Sequence, residues 1–193
     1  MYPCNAADCN SFDFVPASYR IKLATEAWEK QASAALRRSV FCGEQGLFND
    51  DDSDAIDAHA LTLVAVSCIA GMSEQVVGTV RIHNSLTSDP DANENRLWYG
   101  SRLAVHRDYR SMAWLGSELI HLALSMAHAR GCTRFLAQVQ LRNVKLFRHL
   151  HWQSIEETQV CGRPHHLMQA DLAHYPPCHD AELGFVTTLR RAA

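Results

Sequence analysis

Residues His59 to Ile69 are apolar at almost every position, odd and even alike, so both faces of an extended strand there must be covered. A run of that kind belongs in the middle of a sheet, and the rest of the chain must supply a layer for each face. The flanking sequence does so by changing its period. Tyr19 to Leu23 alternates Tyr, Ile and Leu with Arg20 and Lys22, the two-residue period of a half-buried strand. Trp28, Ala32, Ala35, Leu36 and Val40 then recur at three- and four-residue spacing, which predicts an amphipathic helix capped by Thr25 and ending near Phe41 and Gly43. The acidic stretch Asn49 to Asp57 has turn chemistry.

Gln75 to His83 reads as a strand with Val76, Gly78, Val80 and Ile82 on one face and Val77, Thr79, Arg81 and His83 on the other. A polar loop over residues 84–96 separates it from a strand at Leu97 to His106. The longest helix follows, with Leu115, Leu119, Leu122 and Met126 sharing a face and Gly131 where a C-terminal cap belongs. Phe135 to Gln140 is a strand, Asn143 to Leu150 a short helix, and Leu167 to Leu172 a last strand. The order predicts an α/β (α+β) domain, a mixed sheet covered by helices, over residues 18–173. Residues 1–17 read as an irregular leader. Residues 174–193 read as a tail whose Leu183, Phe185 and Val186 pack on the domain or on a partner.

At 193 residues, 47% hydrophobic and 20% charged, the chain has the size and composition of one globular domain. The apolar stretch from Ala58 to Gly71 carries His59, Thr62 and Ser67 and is too short for a membrane helix, which needs about 20 residues. The N-terminus lacks the basic flank and apolar run of a signal peptide, so a cytoplasmic location is expected. A net charge of -3, with 18 Lys and Arg scattered along the chain, gives no electrostatic footprint for nucleic acid. Seven cysteines, odd in number and without a C-x-x-C pair, fit reduced thiols. His149 with His151, and His165 with His166, lack the i, i+4 spacing that puts two imidazoles on one helical face, so no metal is expected.

The segment from Trp98 to Ile120 carries the chemistry. There a strand ending Arg102-Leu103-Ala104-Val105 meets a turn, His106 to Gly116, and then the long helix. Backbone N–H groups at a helix start lack internal partners and suit an anion such as a pyrophosphate. An ordinary strand-to-helix turn, with Ser111, Ala113, Gly116 and Ser117 kept small for packing, is the alternative.

Residues 103–120 resemble the acyl-CoA pyrophosphate loop of the GNAT superfamily of N-acetyltransferases. Arg110 opens the loop, Ser111 and Ala113 stand where Gly is usual, and the loop is one residue longer before Gly116. Other segments resemble the superfamily in the same order. Val40-Phe41 followed by Glu44-Gln45-Gly46, with Arg37, Asp54, Asp57 and His59, resembles a branch with a "VF..EQG" signature. Val77 to Arg81, Phe135 to Gln138, Leu146-Phe147 through Leu150-His151-Trp152, and Pro164 to Met168 resemble its later strands and helix. Coverage runs from about residue 19 to 172.

The resemblance implies a mixed, mostly antiparallel sheet flanked by helices, with acetyl-CoA as co-substrate and the amine of a small metabolite as acceptor. Main-chain groups of Leu103, Ala104 and Val105 would bind the pantetheine arm as an added strand. Amides of Arg110, Ser111, Met112, Ala113, Trp114, Leu115, Gly116 and Ser117 would hold the pyrophosphate, and Asn143 would contact the pantetheine. Phe147 departs from the many family members with a Tyr here, whose hydroxyl can protonate the departing thiolate, so water or another side chain supplies that proton or transfer is weak or absent.

For the base, His83 is the candidate, because it ends its strand on the face of Arg81 and an imidazole titrates near neutrality. An exposed strand-end histidine is the alternative. Tyr99, Ser101 and Glu44 are further candidates acting through water. Arg37, Phe41, Arg81 and Arg102 are the candidate substrate-binding residues, and Arg81 and Arg102 either grip an anionic acceptor or form ion pairs. The superfamily commonly homodimerises, which the apolar tail residues could serve.

Arg37, Phe41, Asp54, Asp57, Arg81 and Ser101-Arg102 also resemble acyl-homoserine-lactone synthases, which join an acyl group to S-adenosylmethionine on the same fold. Leu47 stands where those enzymes have Trp, and Tyr99-Gly100 where they have Glu. A third reading is a GNAT-fold module that binds acyl-CoA without turnover.

Overall fold

The computed structural model describes residues 18–85, 96–111 and 114–188. Eight strands form one sheet: β1 (Ser18–Leu23), β2 (Leu61–Ile69), β3 (Met72–Asn84), β4 (Leu97–Val105), β5 (Arg134–Gln140), β6 (Trp152–Val160), β7 (Arg163–Ala170) and β8 (Phe185–Thr188). Their spatial order is β6-β7-β5-β4-β3-β2-β1-β8. Each neighbouring pair is antiparallel except β4 and β5, which run parallel. Helices α1 (Ala27–Arg38), α2 (Trp114–Ala129) and α3 (Val144–His149) complete the mixed, mostly antiparallel architecture. The leader at residues 1–17 lies outside the described residues, as does most of the 84–96 loop.

The doubly apolar β2 lies inside the sheet, as its composition demands. On one face, Leu115, Leu119, Leu122 and Met126 of α2 pack with Ile21, Leu63, Ile82 and Phe135. On the other, Leu36, Val40 and Phe41 pack with Val64, Val66, Val76 and Ala104. Two apolar layers then remove most of the sheet from water.

Helix α1 differs from its sequence reading in two ways. Its cap is Glu26 rather than Thr25, because Glu29 folds back to accept the backbone N–H groups of both Thr25 and Glu26. Its buried face is Glu29, Ser33, Leu36 and Arg37, while Trp28 is 41% exposed. Charged residues can occupy that face because each has a partner: Lys22 meets Glu29 at 2.7 Å and Arg37 meets Asp52 and Asp57. Ser39–Glu44 continue the helix as a wider π turn, which carries Val40 and Phe41 against the sheet.

Three strands differ from the reading. β6 had no sequence signal, because Gln153-Ser154-Ile155-Glu156-Glu157 faces solvent and shows no apolar alternation. β7 starts at Arg163, four residues before the expected strand, and Leu172 falls in a short 3-10 turn after it. The tail adds β8 to the outer edge of β1. On its way there, Cys178 N–H donates to the Ser125 carbonyl and Leu23 N–H to the Ala181 carbonyl. Tyr175 and Ala181 are buried and Phe185 packs against the core, whereas Leu183 and Val186 are exposed. Gly184 makes the return possible: it sits at φ 63°, and a Cβ there would lie 1.9 Å from the Ile21 carbonyl oxygen.

Candidate functional site

β4 and β5 pair only from Leu97–Gly100 against Arg134–Ala137. Beyond Gly100, β4 stays on β3 and β5 stays on β7, so their facing edges part. A bulge accentuates the parting. Ser101 opposes Arg81 and Ala104 opposes Thr79, leaving Arg102 and Leu103 against one residue of β3, with Arg102 in the left-handed region at φ 54°. Gly100 marks the fork, where an added Cβ would lie 2.9 Å from Phe135 Cε1.

A cavity of about 470 Å³ opens at this fork, within the size range of small-molecule sites. It passes through the sheet and has two unlike halves. On the α1 side it is lined by Phe41, Gln45, Phe48, His83, Tyr99 and His165. On the α2 side its walls are Ile120, Ala123, Leu124, Phe135, Phe147 and Trp152, all members of the main core. Arg81, Ser101, Arg102, Leu103 and Asn143 also line it.

The polar half rests on three arginines and three aspartates. Arg37 donates from Nε to Asp52 at 2.8 Å and from Nη1 to Asp57 at 2.6 Å. Arg81, 1% exposed, is bidentate to Asp54 at 2.6 and 3.0 Å and gives its Nε to Ser101. Arg102 reaches Asp52 at 2.9 Å and Asp54 at 3.2 Å, with its guanidinium 4.6 Å from the centre of the Phe48 ring. Burial works to raise the Asp57 pKa, but the hydrogen bonds from Arg37, the Asp54 backbone and Arg81 together outweigh it and hold the carboxyl far below the carboxylate range. The Arg81 hydrogen bond, against burial, lowers the pKa of Asp54.

Of the expected substrate-binding residues, Arg37 does not line the cavity. It stands behind the cavity wall, and Asp52 and Asp57 occupy its guanidinium. Arg81 and Arg102 do line the cavity, but as partners of the aspartates, which is the ion-pair alternative.

His83 lines the cavity half-buried. Its Nδ1 lies 3.1 Å from the Asn84 carbonyl, an acceptor only, so Nδ1 carries the proton and Nε2 the lone pair. The ring stacks on Tyr99, with centroids 5.4 Å apart, and meets His59 edge-on. Burial, against the Asn84 carbonyl, and the charge of Arg81 lower its pKa and favour the neutral ring. Glu44 does not line the cavity; it pairs with Arg110 Nη1 at 2.7 Å.

The expected phosphate loop lies beyond the cavity at the start of α2. Arg110 is turned back, its Nε donating to the Val105 carbonyl and its Nη1 to Glu44. The Trp114 ring packs against Tyr19 and Leu115 is fully buried, so these side chains anchor the helix start. Gly116 is buried with room for a Cβ, 3.9 Å from Val105 Cγ2. Ser111 is exposed and Ser117 half-buried. Met112 and Ala113 lie outside the described residues.

Sequence reasoning missed three features. The apolar half of the cavity carried only the signal of ordinary core residues. Asp52, 1% exposed, sat inside a stretch read as a turn. Gln45 ties the end of α1 to the far side of the fork, accepting from Gln140 at 2.9 Å through its side chain and from Arg163 through its carbonyl. Among the described residues, no group of three or more His, Cys, Asp or Glu could hold a metal ion, and no helix is long and apolar enough to cross a membrane.

The N-acyl amino acid synthase FeeM family matches residues 32–171. No curated protein matches the sequence. Among solved structures, an acyl-CoA N-acyltransferase from Pseudomonas aeruginosa is 20% identical, with 79% of this chain and 99% of that one covered at a TM-score of 0.58. FeeM, an N-acyl amino acid synthase from uncultured soil microbes, is 14% identical over 83% and 95% at 0.63. BjaI, a CoA-dependent acyl-homoserine lactone synthase, is 17% identical over 80% and 83% at 0.61. These likenesses show the acyl-CoA N-acyltransferase fold.

Proposed function

Because the chain belongs to the N-acyl amino acid synthase FeeM family, whose pattern spans the fork and both halves of its cavity, we propose that it is an N-acyltransferase. It moves an acyl group from a thioester to the amine of a small metabolite of the amino-acid class. The observation that carries this reading is the two-sided cavity at the parting of β4 and β5. A polar half for an amine and an apolar half for a carbon chain meet where the unpaired edge of β4 can polarise a thioester carbonyl.

Acetyl-CoA was the donor expected from sequence. Its two carbons would leave the Ile120, Ala123 and Phe135 region empty, so an acyl-CoA with a longer chain fits the walls better. The β4 segment Leu103 to Val105 binds the pantetheine, Asn143 contacts it, and the amides from Arg110 to Ser117 hold the pyrophosphate. His83 takes a proton from the acceptor ammonium through Nε2, and the stacked Tyr99 holds the ring. The free amine attacks the carbonyl, the C–N bond forms and the C–S bond breaks. Phe41 and Phe48 wall the acceptor side. The free cysteines at 42, 68, 132, 161 and 178 suit a reducing cytoplasm, where acyl-CoA is made.

The test pairs acyl-CoA donors from acetyl to dodecanoyl with a panel of amino acids and simple amines and follows free thiol and product mass. An N-acyl amino acid product with a medium or long chain is expected. Thiol release with no amine product, or none at all, refutes the reading. The Arg–Asp cluster favours a second reading, an acyl-homoserine-lactone synthase. Stabilisation of the fold by S-adenosylmethionine but not by amino acids would select it.

A further inference from the structure

Phe147 raises a chemical question: a thiolate leaves, and a phenyl ring cannot protonate it. We propose that His165, at the open end of the fork, supplies that proton. The inference rests on the acyltransferase reading and adds a residue to it.

His165 is 6% exposed, lines the cavity, and stands on β7 opposite Gln140 at the free end of β5. His83 stands on β3 opposite Tyr99 of β4. The two imidazoles line the same cavity, His83 at the closed end of the fork and His165 beyond the point where β4 and β5 part. His165 Nδ1 lies 2.9 Å from the Arg163 carbonyl, which only accepts, so Nδ1 keeps its proton and Nε2 holds a lone pair. Nε2 has no partner among the described residues. An imidazole at a cavity wall, with one nitrogen fixed by the main chain and the other without a protein partner, can exchange a proton with whatever fills that cavity. The adjacent His166, by contrast, is held by Ser154 at 2.6 Å and does not line the cavity.

The proton balance closes with both rings. The acceptor arrives as an ammonium and gives its first proton to His83, from which it passes to solvent. The amine adds to the thioester carbonyl and its nitrogen becomes positively charged. His165 Nε2 takes a proton from that nitrogen. As the C–S bond breaks, the resulting imidazolium passes the proton to the sulfur. The products are the amide, a neutral thiol and one proton released to solvent.

The role is tested by changing how badly the leaving group needs a proton. His165→Asn keeps an N–H for the Arg163 carbonyl and removes the base. With decanoyl-CoA, whose alkyl thiolate must be protonated, its turnover should fall by about 100-fold or more. With the 4-nitrothiophenyl ester of decanoate, whose thiolate is expelled unprotonated from the zwitterionic adduct so that the nitrogen gives its proton to water, turnover should stay within about threefold of the parent chain, the expected signature of a lost general acid. The ratio of the two rates in one sample is independent of how much protein is folded. Adding Phe147→Tyr to His165→Asn should restore turnover with decanoyl-CoA. Equal losses with both donors, no loss with either, or the same donor dependence in Tyr99→Phe instead would overturn the role of His165 and leave the acyltransferase reading standing. No thiol release by the parent chain from either donor would overturn both.

Discussion

Asp52 shows what a single residue does here. It is almost fully buried, accepts from Arg37 at 2.8 Å and lies 2.9 Å from Arg102, so it fixes two cations that the sequence offered as ligand grips. Removing one partner of a buried pair leaves the others desolvated and unmatched, so Asp52→Ala should cost about 3–5 kcal/mol in urea unfolding. A loss below about 1 kcal/mol would mean that Arg37 finds water instead. His83 allows a pH prediction with a definite sign. A base works unprotonated, and burial shifts this ring toward the neutral form. The acid limb of kcat/KM should therefore lie below pH 6.5, the ordinary histidine value, with activity flat above it. His83→Gln should lower kcat/KM by about 100-fold and abolish the limb. A limb above pH 6.5, or one that survives the substitution, would assign the titration elsewhere. The place of His83 on the polar face of β3 was legible because a period-two strand can be read from local pattern. That of Asp52 was not, since an acidic run reads as turn chemistry until the arginines that fold over it are known.

At the scale of elements, the same contrast decides which strands could be read. β2 and β3 bury alternating or continuous apolar residues, and their sequence says so. β6 is an edge strand with mostly polar side chains, held by main-chain pairing to β7, and main-chain pairing leaves no mark in composition. β8 is four residues long and follows prolines and a turn, so only the tertiary contact with β1 makes it a strand. The turn at Gly184 is what permits that contact. Gly184→Ala places a side chain in a left-handed backbone and against the Ile21 carbonyl, which should cost about 1–3 kcal/mol and free the amides of β8 to exchange rapidly. Unchanged protection at residues 185–188 would show that β1 and β8 pair without that close approach.

Across the whole molecule, the fork and the core are one structure. The parallel pair β4–β5 is opened by a bulge in β4 on one side while β5 stays on β7 on the other, and through the opening the cavity reaches the apolar layer between the sheet and α2. The fold class followed from element order, whereas the fork did not, because pairing that stops after four residues is a property of strand partners and not of either strand's composition. The depth of the cavity did not, because its walls are the same Leu, Ile, Phe and Ala that any core uses. Depth is what sets the acyl chain. Ala123 sits on α2 at the cavity wall, so Ala123→Phe fills space that a longer chain would occupy and leaves the polar half untouched. Filling a real void need not destabilise the protein, whereas a phenyl ring forced into a packed core costs about 1–3 kcal/mol. The melting temperature should therefore hold, kcat/KM should fall at least tenfold for dodecanoyl-CoA, and acetyl-CoA should be unaffected. If the variant is strongly destabilised, the space is already filled. If both donors lose activity equally, the chain lies elsewhere and the apolar half of the cavity takes no part in choosing the donor.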